Sequence, residues 1–171
     1  MKPLWQEAAS FAMQLHAGQT RDDGVTPYGA HPVRVAMTVR DVFECDDHVC
    51  LAAAYLHDVI EDTPADYDDI AERFGTDVAD CVAALTKDMR MPEAQREEAY
   101  DQGLIEADWR AKLIKLADTY DNLCDLSSVE KRGRVIERCR RAITIAEPAT
   151  GDHPSVPRAI DALKRLMASE T

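Results

Sequence analysis

Apolar residues recur at helical spacing along most of this chain. Leu4, Ala8, Phe11, Ala12 and Leu15 share one face of a helix over residues 3–17, opened by Pro3 and stopped at Gly18. Val35, Val39, Val42 and Phe43 mark a second helix that starts at His31-Pro32 and runs through residue 44. A third, residues 46–58, carries Leu51, Ala54 and Tyr55 at core spacing. Asp66 and Asp69 open a short helix to Phe74, closed by Gly75, and Thr76 caps another with Val78, Val82 and Leu85 inward. Residues 108–127 form the clearest helix, with Trp109, Leu113, Leu116, Tyr120 and Leu123 on one stripe. Ser128 is expected to cap a long helix to Glu147, buried through Val129, Ile136, Cys139, Ile143 and Ala146. After Pro148 a last helix starts at Pro157 and runs through Ile160, Leu163 and Met167. The pattern predicts an all-α helical bundle.

Two interruptions stand out. Residues 18–30 form a 13-residue loop with three Gly and one Pro, a length that is usually functional or disordered. Residues 87–107 are polar, punctuated by Pro92 and Gly103, and read as a loosely attached helical arm. They do not form a second domain, so one domain over residues 1–171 is expected.

Composition narrows the classes of partner. A net charge of −12 argues against nucleic acid or an anionic membrane surface as the main partner. It leaves room for a polyanionic small molecule, because a bound metal and a few cationic side chains reverse the local sign. No stretch of about 18 apolar residues is present, so no membrane span is expected. Glu7 comes too early for a signal peptide. Five cysteines (45, 50, 81, 124 and 139) without a C-x-x-C read as small, reduced core residues in a cytoplasmic protein.

Candidate chemistry gathers where the third helix ends. His57, Asp58, Glu61 and Asp62 follow a buried apolar run, and charge there is costly unless paired or bound to a cation. If the helix continues, His57 stacks with Glu61 and Asp58 with Asp62. A solvated acidic helix end is the alternative. His31 is a poor helix cap compared with Ser or Asp, which suggests another duty. His16, in the last turn of its helix, suits the negative dipole end and reads as structural. Asp118, Asp121, Asn122 and Asp125 face away from their helix's apolar stripe, where a solvated acidic face competes with a functional one. Lys131, Arg134, Arg138 and Arg141 form a basic stripe that reads mainly as a solvated face. Two imidazoles and two carboxylates, from His31, His57, Asp58 and Asp118, suit one divalent first-row metal and leave coordination positions open.

The spacing H…HD…D is that of the HD-domain metal-dependent phosphohydrolases, and the chain resembles their RelA/SpoT-type alarmone hydrolases. The resemblance rests on His16-Ala-Gly-Gln-Thr-Arg21, Pro27-Tyr28, His31-Pro32, Leu56-His-Asp-Val-Ile-Glu-Asp-Thr63, and Ile114-Lys-Leu-Ala-Asp118 followed by Asn122. It covers residues 5 to 126, and more loosely reaches Pro148. It implies an HD-domain fold with His31, His57, Asp58 and Asp118 as ligands of manganese. It further implies that Glu61 and Asp62 act on the attacking water and the reacting phosphate. Arg21, Tyr28 and Asn122 match residues around the nucleotide, and Arg138 lies on a helix that carries substrate-binding side chains in relatives. The implied reaction removes the 3′-pyrophosphate of (p)ppGpp, the stringent-response alarmone. The chain ends without room for a synthetase domain, so it looks like a small stand-alone hydrolase. Asp22 and Thr119 depart from relatives that carry basic residues there, and both changes remove positive charge near the substrate. Two alternatives follow: a phosphatase acting on another phosphorylated nucleotide such as NADPH, or a catalytically silent regulatory binding module.

Overall fold

Helix-forming periodicity becomes helix throughout. The computed structural model describes residues 3–126 and 128–169, apart from the Val129 side chain. Expectations that rest on Met1, Lys2 or an inward Val129 therefore lie outside the described residues. In chain order the helices are α1 (Leu4–Leu15), α2 (Ala30–Met37), α3 (His48–Leu56), α4 (Val59–Asp62) and α5 (Tyr67–Phe74). They continue with α6 (Thr76–Ala84), α7 (Glu93–Glu106), α8 (Trp109–Cys124), α9 (Arg132–Ala146) and α10 (Ser155–Ser169). Among the described residues the extended pairing is a single bridge, Thr20 with Pro27, within the 18–30 loop. None of these helices is long and apolar enough to cross a membrane.

Two helices form the middle of the bundle. α3 is apolar on every side, and Cys50 through Ala54 and Leu56 are all buried, as a fully enclosed helix requires. Its start is fixed by Asp47, whose side chain accepts from the Cys50 amide and is gripped by Arg110 from α8. α8 packs against α2, α3, α6, α7, α9 and α10. Leu113, Ile114, Leu116 and Ala117 are buried in succession, so its apolar surface is wider than the one stripe expected. Cys45, Cys50, Cys81 and Cys139 are buried thiols, whereas Cys124, at the end of α8, is exposed and not the core residue expected.

Several boundaries differ from the periodic reading, each for a local reason. α2 widens into a π-helical turn over Thr38–Val42, which shifts the register and leaves Val42 exposed while Phe43 stays buried. α9 does not start from a Ser128 cap. A 3₁₀ turn, Val129–Lys131, leads into it, and Lys131 sits at its start without a capping side chain. Gly75, at φ 91°, ends α5 and begins α6, where Thr76 was expected to cap. The segment 87–107 is not a loose arm. α7 packs on α6, α8 and α9, burying Tyr100 and Leu104, and Arg141 bonds Glu97 and Asp101 across to α9. Its polarity belongs to a helix with a narrow buried edge and an ion-paired flank.

Candidate functional site

The helix break at His57 and Asp58 determines the site's geometry. α3 ends there and α4 restarts at Val59, with Asp58 at φ −100° and ψ −2°, a sparsely populated backbone region where active-site residues recur. The helix does not continue through His57, yet Asp58 and Asp62 still stand one turn apart, with the Asp62 amide on the Asp58 carbonyl at 2.9 Å and both carboxylates on the Tyr28 hydroxyl. The turn instead aims His57 and Asp58 together toward His31, at the start of α2, and Asp118, in mid-α8.

Four donor atoms meet there. His57 Nε2 lies 3.2 Å from His31 Nε2 and 3.0 Å from Asp58 Oδ2. His31 Nε2 lies 3.5 Å from Asp58 Oδ2 and 3.3 Å from Asp118 Oδ1. His31, His57 and Asp118 offer atoms all within 4.8 Å of one another. The other nitrogen of each ring fixes its tautomer. His57 Nδ1 faces the Ala54 carbonyl at 2.9 Å, a group that only accepts, so this nitrogen carries the hydrogen. His31 Nδ1 donates to Asp121 Oδ2 at 2.7 Å. Each ring, when neutral, thus turns a lone pair inward, toward the other ring and two carboxylate oxygens. Such a cluster is stable only around positive charge. Donors about 2.1–2.2 Å from a shared ion stand about 3.0 Å apart at right angles and about 3.5 Å apart at tetrahedral angles. The separations of His31, His57 and Asp118 fit one divalent ion, and Asp58 Oδ2 lies against both imidazoles beside it.

The local electrostatics agree. Burial alone would lower the His31 pKa, but the hydrogen bonds and charges of Asp118, Asp121 and Asp58 outweigh it and raise it to about 9. His57 is also raised against its burial, chiefly by Asp58. Burial opposes the charge on Asp118, yet Lys115 and the two histidines hold its carboxyl well below the usual range. Asp58 is likewise held low against its burial by His57. The pocket is an anionic hole that attracts a cation.

Around this point lies a cavity of about 290 Å³. Glu61 accepts the Lys87 amide through Oε2 at 2.8 Å, and Asp62 accepts the Tyr28 hydroxyl at 3.1 Å. Burial, followed by the charge of Asp58, raises the pKa of both Glu61 and Asp62. The Tyr28 hydroxyl also lies 2.5 Å from Asp58 Oδ2. Burial, with Asp58 and Asp62, keeps that hydroxyl protonated. Arg21 does not pair with Asp22 or Asp23. It donates to Asp125 at 3.0 Å and Asn122 at 2.9 Å, and its guanidinium lies 5.7 Å from the centre of the Tyr28 ring. Asn122 donates to Asp118 Oδ1 at 2.6 Å. Arg138 lines both this cavity and a neighbouring one of about 450 Å³, which it shares with Arg21, Asn122, Lys131 and Arg134. The basic stripe therefore faces cavities along part of its length. His16 is buried, with Nδ1 2.7 Å from Gln19 Oε1 and its ring 4.6 Å from that of Tyr28, so it packs beneath the loop. His153 stacks flat on Trp109, with ring centres 4.1 Å apart, and helps hold the chain between α9 and α10.

Several residues at the site escaped the sequence reading. Asp121, grouped with a solvated face, is buried against His31 and Arg34. Lys115 donates to Asp118 Oδ2 at 2.8 Å, leaving Oδ1 to face the imidazoles. For Lys115 the signal was its place among Leu113, Ile114, Leu116 and Ala117, which makes both sides of α8 interior and so demands a partner for its charge. Gln19 ties the loop to α4 through the Asp62 carbonyl at 2.9 Å.

Comparison with known proteins gives a consistent picture. A family model described as HD domain matches residues 8–143. The chain is 38% identical over 136 residues to the Drosophila melanogaster protein named guanosine-3′,5′-bis(diphosphate) 3′-pyrophosphohydrolase MESH1, covering 78% of this chain and 75% of that one. It is 37% identical over 151 residues to the bifunctional (p)ppGpp synthase/hydrolase SpoT of Escherichia coli, covering 84% of this chain but 21% of that longer protein. The solved structure of a metazoan SpoT orthologue that hydrolyses ppGpp superposes with a TM-score of 0.81 at 29% identity, covering 96% of each chain.

Proposed function

The chain belongs to the HD domain family, alongside proteins named as guanosine-3′,5′-bis(diphosphate) 3′-pyrophosphohydrolases, and on that premise we propose that it removes the 3′-pyrophosphate of (p)ppGpp. One observation carries the reading beyond the family: an inward His57 lone pair and oxygens of Asp58 and Asp118, each 3.2–3.5 Å from the inward His31 Nε2, beside a cavity lined by Glu61 and Asp62. His31, His57, Asp58 and Asp118 would hold a divalent first-row metal, with manganese favoured by the resemblance to the alarmone hydrolases. When bound, that ion supplies a Lewis acid that lowers the pKa of water and neutralises phosphate charge.

The chain's own residues do the rest. Glu61 and Asp62, both raised in pKa by burial, take the proton of the attacking water and return one to the departing ribose 3′-oxygen. Lys87 fixes Glu61 through its backbone amide, which leaves the second Glu61 oxygen for this exchange. Arg21 and Asn122 meet the nucleotide at the mouth of the cavity, Tyr28 closes its floor, and Arg138 faces the phosphates from α9. The whole chain serves as the hydrolase domain. Buried thiols at Cys45, Cys50, Cys81 and Cys139 support a reducing compartment, the cytoplasm.

A substrate panel with Mn²⁺ tests this reading. Release of pyrophosphate from ppGpp, without single phosphate, is the expected result. Single-phosphate release from NADPH with no turnover of ppGpp would replace it with the nucleotide phosphatase alternative.

A further inference from the structure

A circuit of hydrogen bonds, closed by one donor–donor contact at the centre, runs behind the candidate site. His31 Nδ1 donates to Asp121 Oδ2 at 2.7 Å, and Arg34 grips both Asp121 oxygens at 2.6 and 3.0 Å. Arg34 also reaches Asp125 Oδ2 at 2.8 Å, and the same oxygen accepts from Arg21 at 3.0 Å. Arg21 donates to Asn122, Asn122 donates to Asp118, and Asp118 Oδ1 closes the circuit 3.3 Å from His31 Nε2. Asp121 is only 4% exposed, so its charge depends on these partners.

We propose that Asp121 and Arg34 are positioning residues of the centre: Asp121 fixes the tautomer and direction of His31, and Arg34 locks Asp121 in place for that task. The inference rests on reading His31 as a metal-binding residue. The geometry favours it over a plain buried ion pair. Joining α2 to α8 would need only the two Arg34 bonds, yet the Asp121 oxygen that accepts the longer of them also takes the imidazole N–H. That hydrogen bond directs the Nε2 lone pair inward and makes the ring a stronger donor, the usual effect of a carboxylate behind a metal-binding histidine. Asp125 and Arg21 form the outer half of the circuit and touch neither ring, so they are not expected to influence cation uptake.

The test is calorimetric titration of the apo protein with Mn²⁺ alone, together with thermal melting of each apo variant. Asp121→Asn should bind Mn²⁺ about 10- to 100-fold more weakly than wild type. Arg34→Met should move in the same direction by a smaller factor, and Asp125→Asn should stay within about twofold. A merely structural pair would lower the melting temperature and leave Mn²⁺ affinity unchanged, and that result overturns the inference. Should Asp121→Asn fail to fold, Arg34→Met decides, because its side chain is 36% exposed and its loss leaves no cavity in the core. Wild-type affinity in Arg34→Met would then overturn the proposal. A wild-type protein that takes up no Mn²⁺ would instead overturn the metal reading itself.

Discussion

The inner end of the cavity and its outer rim are held by opposite means. At the inner end His31 and His57 are 1% and 2% exposed, and each outward-facing ring nitrogen is bound to a fixed partner. At the rim, the side chains of Asp22 and Lys131 are 74% and 48% exposed, and the 2.6 Å contact between them lies in solvent. Buried polar groups tolerate little displacement because every lost partner leaves an uncompensated charge. Exposed ion pairs contribute about 0–1 kcal/mol and exchange readily. The inner end is thus built for chemistry at fixed distances, and the rim for attracting a charged molecule.

The largest expected effect breaks the inner end. His57→Ala should abolish metal uptake, measured by elemental analysis, and turnover with it. Glu61→Ala should keep the metal yet lose roughly 10²–10⁴-fold in turnover, because a proton-transfer group affects rate and not occupancy. Near-wild-type turnover in Glu61→Ala would remove Glu61 from the mechanism. Its pH profile sharpens the point. Burial raises the Glu61 pKa above its ordinary 4.5, and a base works only when deprotonated, so the acid limb of kcat/KM should lie above that value. Asp62→Asn removes a like charge beside Glu61, so in that variant the limb should move to lower pH.

Next comes the junction of the two regions. Arg21→Ala should lower kcat/KM about tenfold or more, with little change in melting temperature. Stability should hold because Asp125 keeps Arg34 and Asn122 keeps Asp118 when Arg21 is gone. A large loss of stability instead would make Arg21 a structural strut.

The inner end was legible in the sequence to the extent that its residues sit at helix ends. His31 follows a long loop and is a poor cap, and His57-Asp58 ends an apolar run, so both looked out of place. The third helix was expected to end at residue 58, close to its end at Leu56, but the sequence did not reveal that a new helix restarts at Val59, since no Gly or Pro marks the turn. Asp121 was invisible for a different reason. A carboxylate on the polar side of an amphipathic helix looks solvated until the neighbouring helix covers it, and that cover is tertiary. The π turn after Met37 carries no local mark either, and it misplaced Val42. At the rim, Lys131 was read as part of a solvated stripe, while its partner Asp22 lies 109 residues earlier, a pairing that periodicity does not encode.

The smallest expected effect tests the rim alone. Asp22 Oδ2 accepts from Lys131 Nζ, and that hydrogen bond and charge hold the Asp22 carboxyl below its usual pKa, so the pair is ionised and sums to zero. Asp22→Lys changes the sum to plus two beside a cavity lined by Arg134 and Arg138. Folding should be unaffected, because the lost pair is exposed and contributes at most about 1 kcal/mol. A highly anionic nucleotide should then show a KM lower by roughly two- to fivefold at low salt. The gain should shrink as ionic strength rises, since the screening length falls from about 30 Å at 0.01 M to about 8 Å at 0.15 M. The kcat should not move, because Asp22 bonds outward to Lys131 and not to any of the four inner donors. A changed kcat would mean that rim and centre are not separable. A KM that stays constant across the salt series, in this variant and in Arg21→Ala alike, would mean that the 18–30 loop does not meet the substrate.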